Sequence, residues 1–306
     1  MTSERVRSLV VGGRGMLGID LAAAIEADGS LCPVLAADLP ELDITDEAAL
    51  RAFVAERRPE VIFNCAAFTD VDGCESKRDL AFAVNGTGAG NVAAAAAAID
   101  ARMIHLSTDF IFDGAKRTPY VEDDQPAPLS AYGASKLEGE RQVAERGAEW
   151  VIARTAWLYG AHGKNFVDTL LRLARECDVL KVVTDQVGSP TWSRDLAAAL
   201  VALGRREAQG IYHAVNAGAC SRFDQVRSIV KTAGLDTAVE PVDSSAFPRP
   251  AKVPPYSALS VEKLARDTGH RIRPWTEALT EYVRRQTRRG YADGSPRGPH
   301  RGGLRQ

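Results

Sequence analysis

Tyr132 and Lys136 are the residues of this chain best suited to chemistry. They stand four apart in the run Tyr132-Gly133-Ala134-Ser135-Lys136. Residues four apart share one face of a helix. The spacing puts an ammonium beside a phenol whose ordinary pKa is about 10. A cation so placed favours the phenolate, which makes Tyr132 an acid or base usable near neutral pH. Upstream lies Gly12-Gly13-Arg14-Gly15-Met16-Leu17-Gly18. Gly12, Gly15 and Gly18 permit a tight turn and a close approach of backbone to pyrophosphate. A helix opening there adds N–H donors and the positive end of its dipole. A dinucleotide beside an activated tyrosine implies hydride transfer to or from a carbonyl or alcohol.

The elements that must position these residues follow from the apolar pattern. Strands are expected at Ser8–Gly12, Leu31–Ala37, Val61–Ala66, Met103–Ser107 and Val151–Arg154. Helices are expected between them at Met16–Asp28, Asp46–Arg57 and Leu80–Ile99. This alternation predicts an α/β fold with a doubly wound parallel sheet, Rossmann-like, and a smaller C-terminal substrate-binding subdomain. The dinucleotide-binding region is expected over 1–155 and a mainly substrate-binding region, interleaved with late sheet strands, over 156–288. That second region reads as helices at Asn165–Arg175, Ser193–Leu203, Ser221–Ala233, Ser260–Thr268 and Trp275–Arg288. Strands are expected there at Val179–Val183 and Gly210–Ala214, and a proline-rich loop at Phe247–Pro255. Residues 289–306, rich in Gly, Pro and Arg, are expected to form a disordered basic tail.

Two features bear on the choice of dinucleotide. Asp38 lies at the end of the second strand, about 20 residues past the last glycine, where an acid can bond a ribose 2′-hydroxyl. That favours NADH. Arg14, inside the turn, can pair with a 2′-phosphate and favours NADPH. NADPH is the expected cofactor, with NADH as the alternative. Asp43 and Ile44 either border the adenine or serve as a loop residue and a helix staple.

Bulk properties exclude several classes. The chain has 306 residues, 45% hydrophobic and 25% charged, with a net charge of −2, which gives no general case for nucleic acid or membrane as partner. Five scattered cysteines, with no metal-type spacing, suit a reducing cytoplasm. No signal peptide or membrane-spanning run is visible. His105 and His213, both in apolar strands, are read as structural.

Several motifs together carry a family resemblance. Asn64-Cys65-Ala66-Ala67-Phe68-Thr69-Asp70-Val71-Asp72 resembles N-A-A-x-T-x-V-D of the dTDP-4-dehydrorhamnose reductases, within the extended short-chain dehydrogenase/reductase superfamily. Ser107-Thr108-Asp109-Phe110-Ile111-Phe112-Asp113-Gly114 resembles their S-T-D-Y-V-F-D-G. Arg154-Thr155-Ala156-Trp157-Leu158-Tyr159, Asn165-Phe166, Asp185-Gln186-Val187-Gly188-Ser189-Pro190-Thr191 and Gly210-Ile211-Tyr212-His213 fit further family segments. The resemblance runs from about residue 8 to 285. Cys65 stands where the family has Ala, Phe110 where it has Tyr, and Val253 where it has Arg.

The resemblance implies reduction of the 4-keto group of a dTDP-linked 6-deoxy-4-ketohexose, giving dTDP-L-rhamnose or a related sugar nucleotide. Tyr132 is then the proton donor, Lys136 also holds the nicotinamide ribose, and Thr108 bonds the substrate oxygen, with Ser107 its nearest competitor. Gly12, Arg14, Gly15, Met16, Leu17, Gly18, Asp38, Ala66, Ala67 and Thr69 are assigned to the cofactor. Thr108, Asp109, Phe110, Trp157, Asn165, Phe166 and Gln186 are assigned to the substrate. Trp157 either stacks on the sugar or is buried in the core, and Asn165 and Gln186 either bind the sugar nucleotide or cap loops. Some family members carry magnesium between subunits, held by a carboxylate where this chain has Asp20; that ion is not favoured here. A homodimer is one assembly open to the chain. The alternatives are a ketoreductase for another activated sugar, of streptose or antibiotic type, and a non-catalytic regulatory subunit like the β subunit of methionine adenosyltransferase.

Overall fold

The computed structural model describes residues 7–32, 34–205 and 208–292, with side chains to residue 288. The first half alternates strand and helix. β1 (Ser8–Val11), α1 (Met16–Asp28), β2 (Val34–Ala37), α2 (Glu47–Arg57) and β3 (Val61–Asn64) come first. α3 (Val71–Ser76), α4 (Arg78–Phe82), α5 (Ala89–Ala97), β4 (Arg102–Thr108), α6 (Ala131–Arg146) and β5 (Glu149–Thr155) follow. β6 (Leu158–Tyr159), α7 (Phe166–Glu176), β7 (Val179–Val183), β8 (Val187–Gly188), β9 (Thr191–Trp192), α8 (Ser193–Arg205) and β10 (Gly210–His213) form the next stretch. β11 (Cys220–Ser221), α9 (Arg222–Ala233), β12 (Ala238–Val242), α10 (Glu262–Thr268) and α11 (Trp275–Ala292) complete it.

Six strands form one parallel sheet in the order β2-β1-β3-β4-β5-β10. Such a sheet needs helices on both faces, and two apolar clusters supply that packing. One joins α1 and α8 to the sheet through Leu21, Ile25, Phe63 and Leu200. The other joins α2 and α5 through Leu50, Val54, Val92 and Ala96. The strand order reverses between β1 and β3, so their C-terminal ends open a crevice for a ligand. A third cluster, with Leu171, Val226, Ile229 and Leu279, holds α7, α9 and α11 as a separate layer beside the pair β7–β12. No helix among the described residues is long and apolar enough to cross a membrane.

Several elements depart from the sequence expectation. The second strand begins at Val34 rather than Leu31, because the Ser8 hydroxyl donates to the Leu31 carbonyl at 2.8 Å and holds that residue in a turn. The expected helix Leu80–Ile99 is two α-helices joined by a π turn at Ala83–Gly88. The wider turn carries Asn85, whose amide accepts from Phe68 N at 2.8 Å and donates to Phe68 O and Ser135 Oγ, each at 3.0 Å. The helix expected from Ser260 starts at Glu262, since Ser260 N donates instead to Tyr120 O at 2.8 Å. The last helix continues through Ala292, four residues into the segment read as a tail. The rest of that tail, 293–306, lies outside the described residues.

Candidate active site

The crevice is built first from backbone. Gly12 has φ +79°, and a Cβ there would lie 2.7 Å from Ala66 N. Only glycine brings the turn after β1 this close to the segment after β3. A Cβ on Gly18 would collide with the Gly12 carbonyl. α1 starts at Gly15 with no side chain capping its N–H groups and no acid in its first turn. By contrast, Asp46, Asp70, Ser130, Asn165 and Ser221 cap the helices they precede. Within the turn, Gly12 N and Gly13 N donate to Ala37 O and Gly15 N to Gly12 O, so the uncapped donors are the first N–H groups of α1, which with the positive dipole end fit a dinucleotide pyrophosphate.

At the rim of the turn, Asp38 accepts from the Arg14 backbone N–H at 2.9 Å and from Leu39 N at 2.8 Å. The Arg14 guanidinium donates to Leu39 O at 2.8 Å and pairs with Glu41. The two residues that argued for different dinucleotides therefore stand side by side. Asp43 and Ile44 follow in the loop before α2. Asp43 accepts from Thr45 N and Oγ1 in a surface turn, at 2.8 and 2.7 Å, and Ile44 is buried against Gly88. Ala66 and Ala67 line the segment after β3, half-buried, with Ala66 N donating to Asn64 Oδ1 at 3.2 Å, while Thr69 is exposed.

α6 delivers the titratable pair. Ser130 caps it by accepting from Gly133 N at 3.2 Å, and Gly133 lets the helix press against the Phe110 backbone. Lys136 is buried and donates to the Leu106 carbonyl at 2.7 Å. Burial lowers its pKa to about 8, while Glu140 and then Cys65 oppose the fall. Tyr132 stands beside the Thr108 side chain, and the Phe110 ring meets its ring edge-on at 5.6 Å. Loss of water pushes the Tyr132 hydroxyl up, Thr108 partly offsets this, and Asp109 adds to it. Burial is the leading influence on this hydroxyl. Tyr132 therefore holds its proton at ordinary pH.

Asp109, beside Thr108, is fully buried. It accepts from Thr108 Oγ1 at 3.1 Å and from Ser257 Oγ at 2.5 Å. Burial raises its carboxyl to about 6, against the hydrogen bonds from Ser257 and Thr108 and the charge of Arg222. Trp157 is half-buried at φ +46° with Gly188 under its indole. Sequence reasoning missed Arg222. Its guanidinium lies 3.4 Å from the centre of the Trp157 ring and 4.5 Å from that of Phe166, and Nη1 donates to Gln225 Oε1 at 3.0 Å. Burial lowers it to about 9, and Asp109 is the leading influence the other way. Its backbone N–H donates to the Gln186 carbonyl at 3.0 Å. Arg222 therefore touches Trp157, Phe166 and Gln186 and stands near Asp109; the signal available in the sequence was a basic residue directly after the cap Ser221.

A family comparison adds to this geometry. The family described as the RmlD substrate binding domain matches residues 6–288. A dTDP-4-dehydrorhamnose reductase of Mycolicibacterium smegmatis is 44% identical over 281 residues, covering 90% of this chain and 85% of the relative. The crystal structure of a dTDP-4-dehydrorhamnose reductase from Clostridium acetobutylicum superposes with a TM-score of 0.89 at 40% identity, covering 92% of this chain and 99% of that one. The chain belongs to the dTDP-4-dehydrorhamnose reductase family. A reductase of the same name from Bacillus anthracis, solved in complex with NADP, gives a TM-score of 0.88 at 36% identity, covering 92% of this chain and all of that one, 100%.

Within this family frame, two expected substrate residues hold structural bonds. Asn165 caps α7, accepting from Asp168 N at 3.0 Å, and its amide donates to Gly160 O and Asp168 Oδ2, each at 2.8 Å. Gln186 donates to Ser244 Oγ at 3.2 Å. Asp20 pairs with Ser193 Oγ and stands 3.8 Å from His162 Nε2; among the described residues no three His, Cys, Asp or Glu side chains are grouped to hold a metal ion. Behind the site, Arg249 makes a two-point pair with Asp72 at 3.0 Å for each contact, tying the loop 247–255 to α3.

Proposed function

We propose that this protein reduces the 4-keto group of a dTDP-linked 6-deoxy-4-ketohexose, converting dTDP-4-dehydro-L-rhamnose to dTDP-L-rhamnose with NADPH. The observation that carries this reading is that Tyr132 and Lys136 stand on one face of α6 beside Thr108 at the C-terminal end of β4, the same end of the sheet as the glycine turn after β1. A bound nicotinamide supplies the hydride. The protein's part is to orient the carbonyl and give the oxygen its proton. Thr108 Oγ1 can donate to the oxygen as charge develops there, and Tyr132 transfers its own proton to the same atom. Lys136 supports that transfer with a nearby positive charge. In this reading its amine also bonds a ribose hydroxyl of the bound dinucleotide.

Arg222 supports the sugar-nucleotide part of the reading. It is a cation among the residues expected to line the substrate, stacked on Trp157 and Phe166 rather than closed off by a carboxylate. A guanidinium so held can bond a diphosphate at two points. Remote binding energy of that kind orients a ketone that is itself too small and polar to be held firmly. Arg14 at the rim of the glycine turn supports NADPH by offering a charge where a 2′-phosphate would lie.

A panel of nucleotide-linked 4-keto sugars assayed with NADPH and with NADH, with NMR identification of the product, tests the proposal. The expected result is turnover of the dTDP-4-keto sugar with the 4-hydroxyl formed, and very poor turnover of the free keto sugar. Comparable catalytic efficiency on both sugars overturns the sugar-nucleotide assignment.

A further inference from the structure

Two consecutive residues of β4 are hydrogen-bonded to two residues of α6, and the next residue of the strand stands beside a third. The Leu106 carbonyl accepts from Lys136 Nζ at 2.7 Å. The Ser107 hydroxyl donates to Glu140 Oε1 at 2.5 Å. The Thr108 side chain stands beside Tyr132. Tyr132, Lys136 and Glu140 follow one another at intervals of four and so share one face of the helix. Glu140 is 4% exposed and closes a two-point pair with Arg154, from Nε at 3.0 Å and from Nη2 at 2.8 Å. Arg154, 2% exposed, belongs to the neighbouring strand β5, and its Nη1 donates to Glu122 O at 3.3 Å. The mechanism above uses neither Glu140 nor Arg154.

We propose that the buried Glu140–Arg154 pair is a positioning device, which seats the catalytic face of α6 on the end of β4 and keeps Lys136 charged beside Tyr132. The role in turnover rests on the reduction proposed above; the role in the charge of Lys136 does not.

The charges around Lys136 leave this work to Glu140. From α6, Tyr132 keeps its proton because burial pushes its hydroxyl up. From the segment after β3, the Cys65 thiol is pushed up to about 12 and is neutral at ordinary pH. From β4, His105 is held neutral, its pKa well below the usual value because it is buried. From β5, Arg154 is a cation, but its guanidinium faces the Glu140 carboxylate. Glu140 is the leading charge opposing the fall of the Lys136 pKa. Remove it, and Lys136 loses that attraction while Arg154 becomes an unscreened like charge. Both changes favour the neutral amine.

The tests are Glu140→Gln and the double variant Glu140→Gln/Arg154→Gln. The first keeps the shape but leaves a buried arginine unpaired; the second removes both charges and guards against a failure to fold. NMR titration of Lys136 in the free protein reads its charge without any turnover. The expected result is a midpoint lowered by roughly one pH unit or more in Glu140→Gln. A smaller fall is expected in the double variant. In the loaded enzyme, the alkaline limb of kcat should move to lower pH by the same amount, with KM for the dinucleotide little changed. A Lys136 midpoint that stays at the wild-type value in both variants overturns the proposal. If wild type itself turns over no keto-sugar nucleotide while the midpoints move as expected, the fault lies with the substrate reading and not with Glu140.

Discussion

Arg14 and Arg222 show how differently the two sides of the crevice treat a positive charge. Arg14 sits at the rim of the glycine turn with a side chain 62% exposed, paired to Glu41 and to a backbone carbonyl. Water and a neighbouring carboxylate already satisfy it. Arg222 lies between two aromatic rings, and its guanidinium donates to the amide oxygen of Gln225. A new anion gains little at the first site and much at the second, because screening is strong in water and weak among buried rings. The contrast extends to the rest of each side. The cofactor side is shaped by missing side chains at Gly12 and Gly18, whereas the substrate side is shaped by buried polar ones, Thr108, Asp109 and Ser257.

Substitutions can break or sharpen that contrast. The largest effect is expected from Tyr132→Phe, which removes the proton donor on the substrate side and leaves the glycine turn untouched. General acid catalysis is typically worth about 10²–10⁴-fold, so kcat should fall by that order while the dissociation constant for the dinucleotide, measured by fluorescence titration, stays near wild type. Turnover within a few-fold of wild type removes Tyr132 from the acid role.

Arg222→Gln comes next. Hydrogen bonds to charged groups are worth about 1.5–3 kcal/mol, or roughly 10- to 150-fold. KM for the dTDP-sugar should rise by that order, and dinucleotide affinity should not change. An unchanged KM would mean that the guanidinium serves only to pack Trp157 and Phe166.

The smallest effect is expected from Arg14→Ala. Its charge is exposed and already paired, so steady-state kinetics should show KM for NADPH rising only severalfold, with KM for NADH still less affected. Equal changes for the two cofactors would show that Arg14 does not read the 2′-phosphate.

Elements fixed by local pattern were legible in the sequence. α1 and β7 run over the residues expected from periodicity, and Asp46, Asn165 and Ser221 mark helix starts because their side chains bond the first-turn N–H groups. The central parallel sheet followed from the alternation of strand and helix. What stayed hidden depends on distant partners. β12 contains Pro241 and has a largely exposed surface, and it becomes a strand by pairing with β7. The π turn around Asn85 exists because Phe68 and Ser135 need its amide, and neither is near it in sequence. The same holds at the site. The pairing of Tyr132 with Lys136 is a matter of spacing, but Arg222 reaches Trp157 only through the fold. Spacing likewise does not reveal the burial that leads the upward shift of the Tyr132 hydroxyl.

The sixth strand of the central sheet, β10, is made of residues 210–213 and pairs with β5 along its full length. Between the two lies much of the substrate-side layer, and α8, which covers α1, ends only at Arg205. On the ribosome, therefore, the dinucleotide half cannot close when its own residues have emerged. A nascent chain of about 155 residues carries an unpaired β5 edge and a bare apolar face on α1, both of which invite association with other chains. The cofactor half and the substrate half are thus a single unit of synthesis, and a fragment ending after β5 should be recovered as aggregate rather than as a free-standing dinucleotide-binding domain.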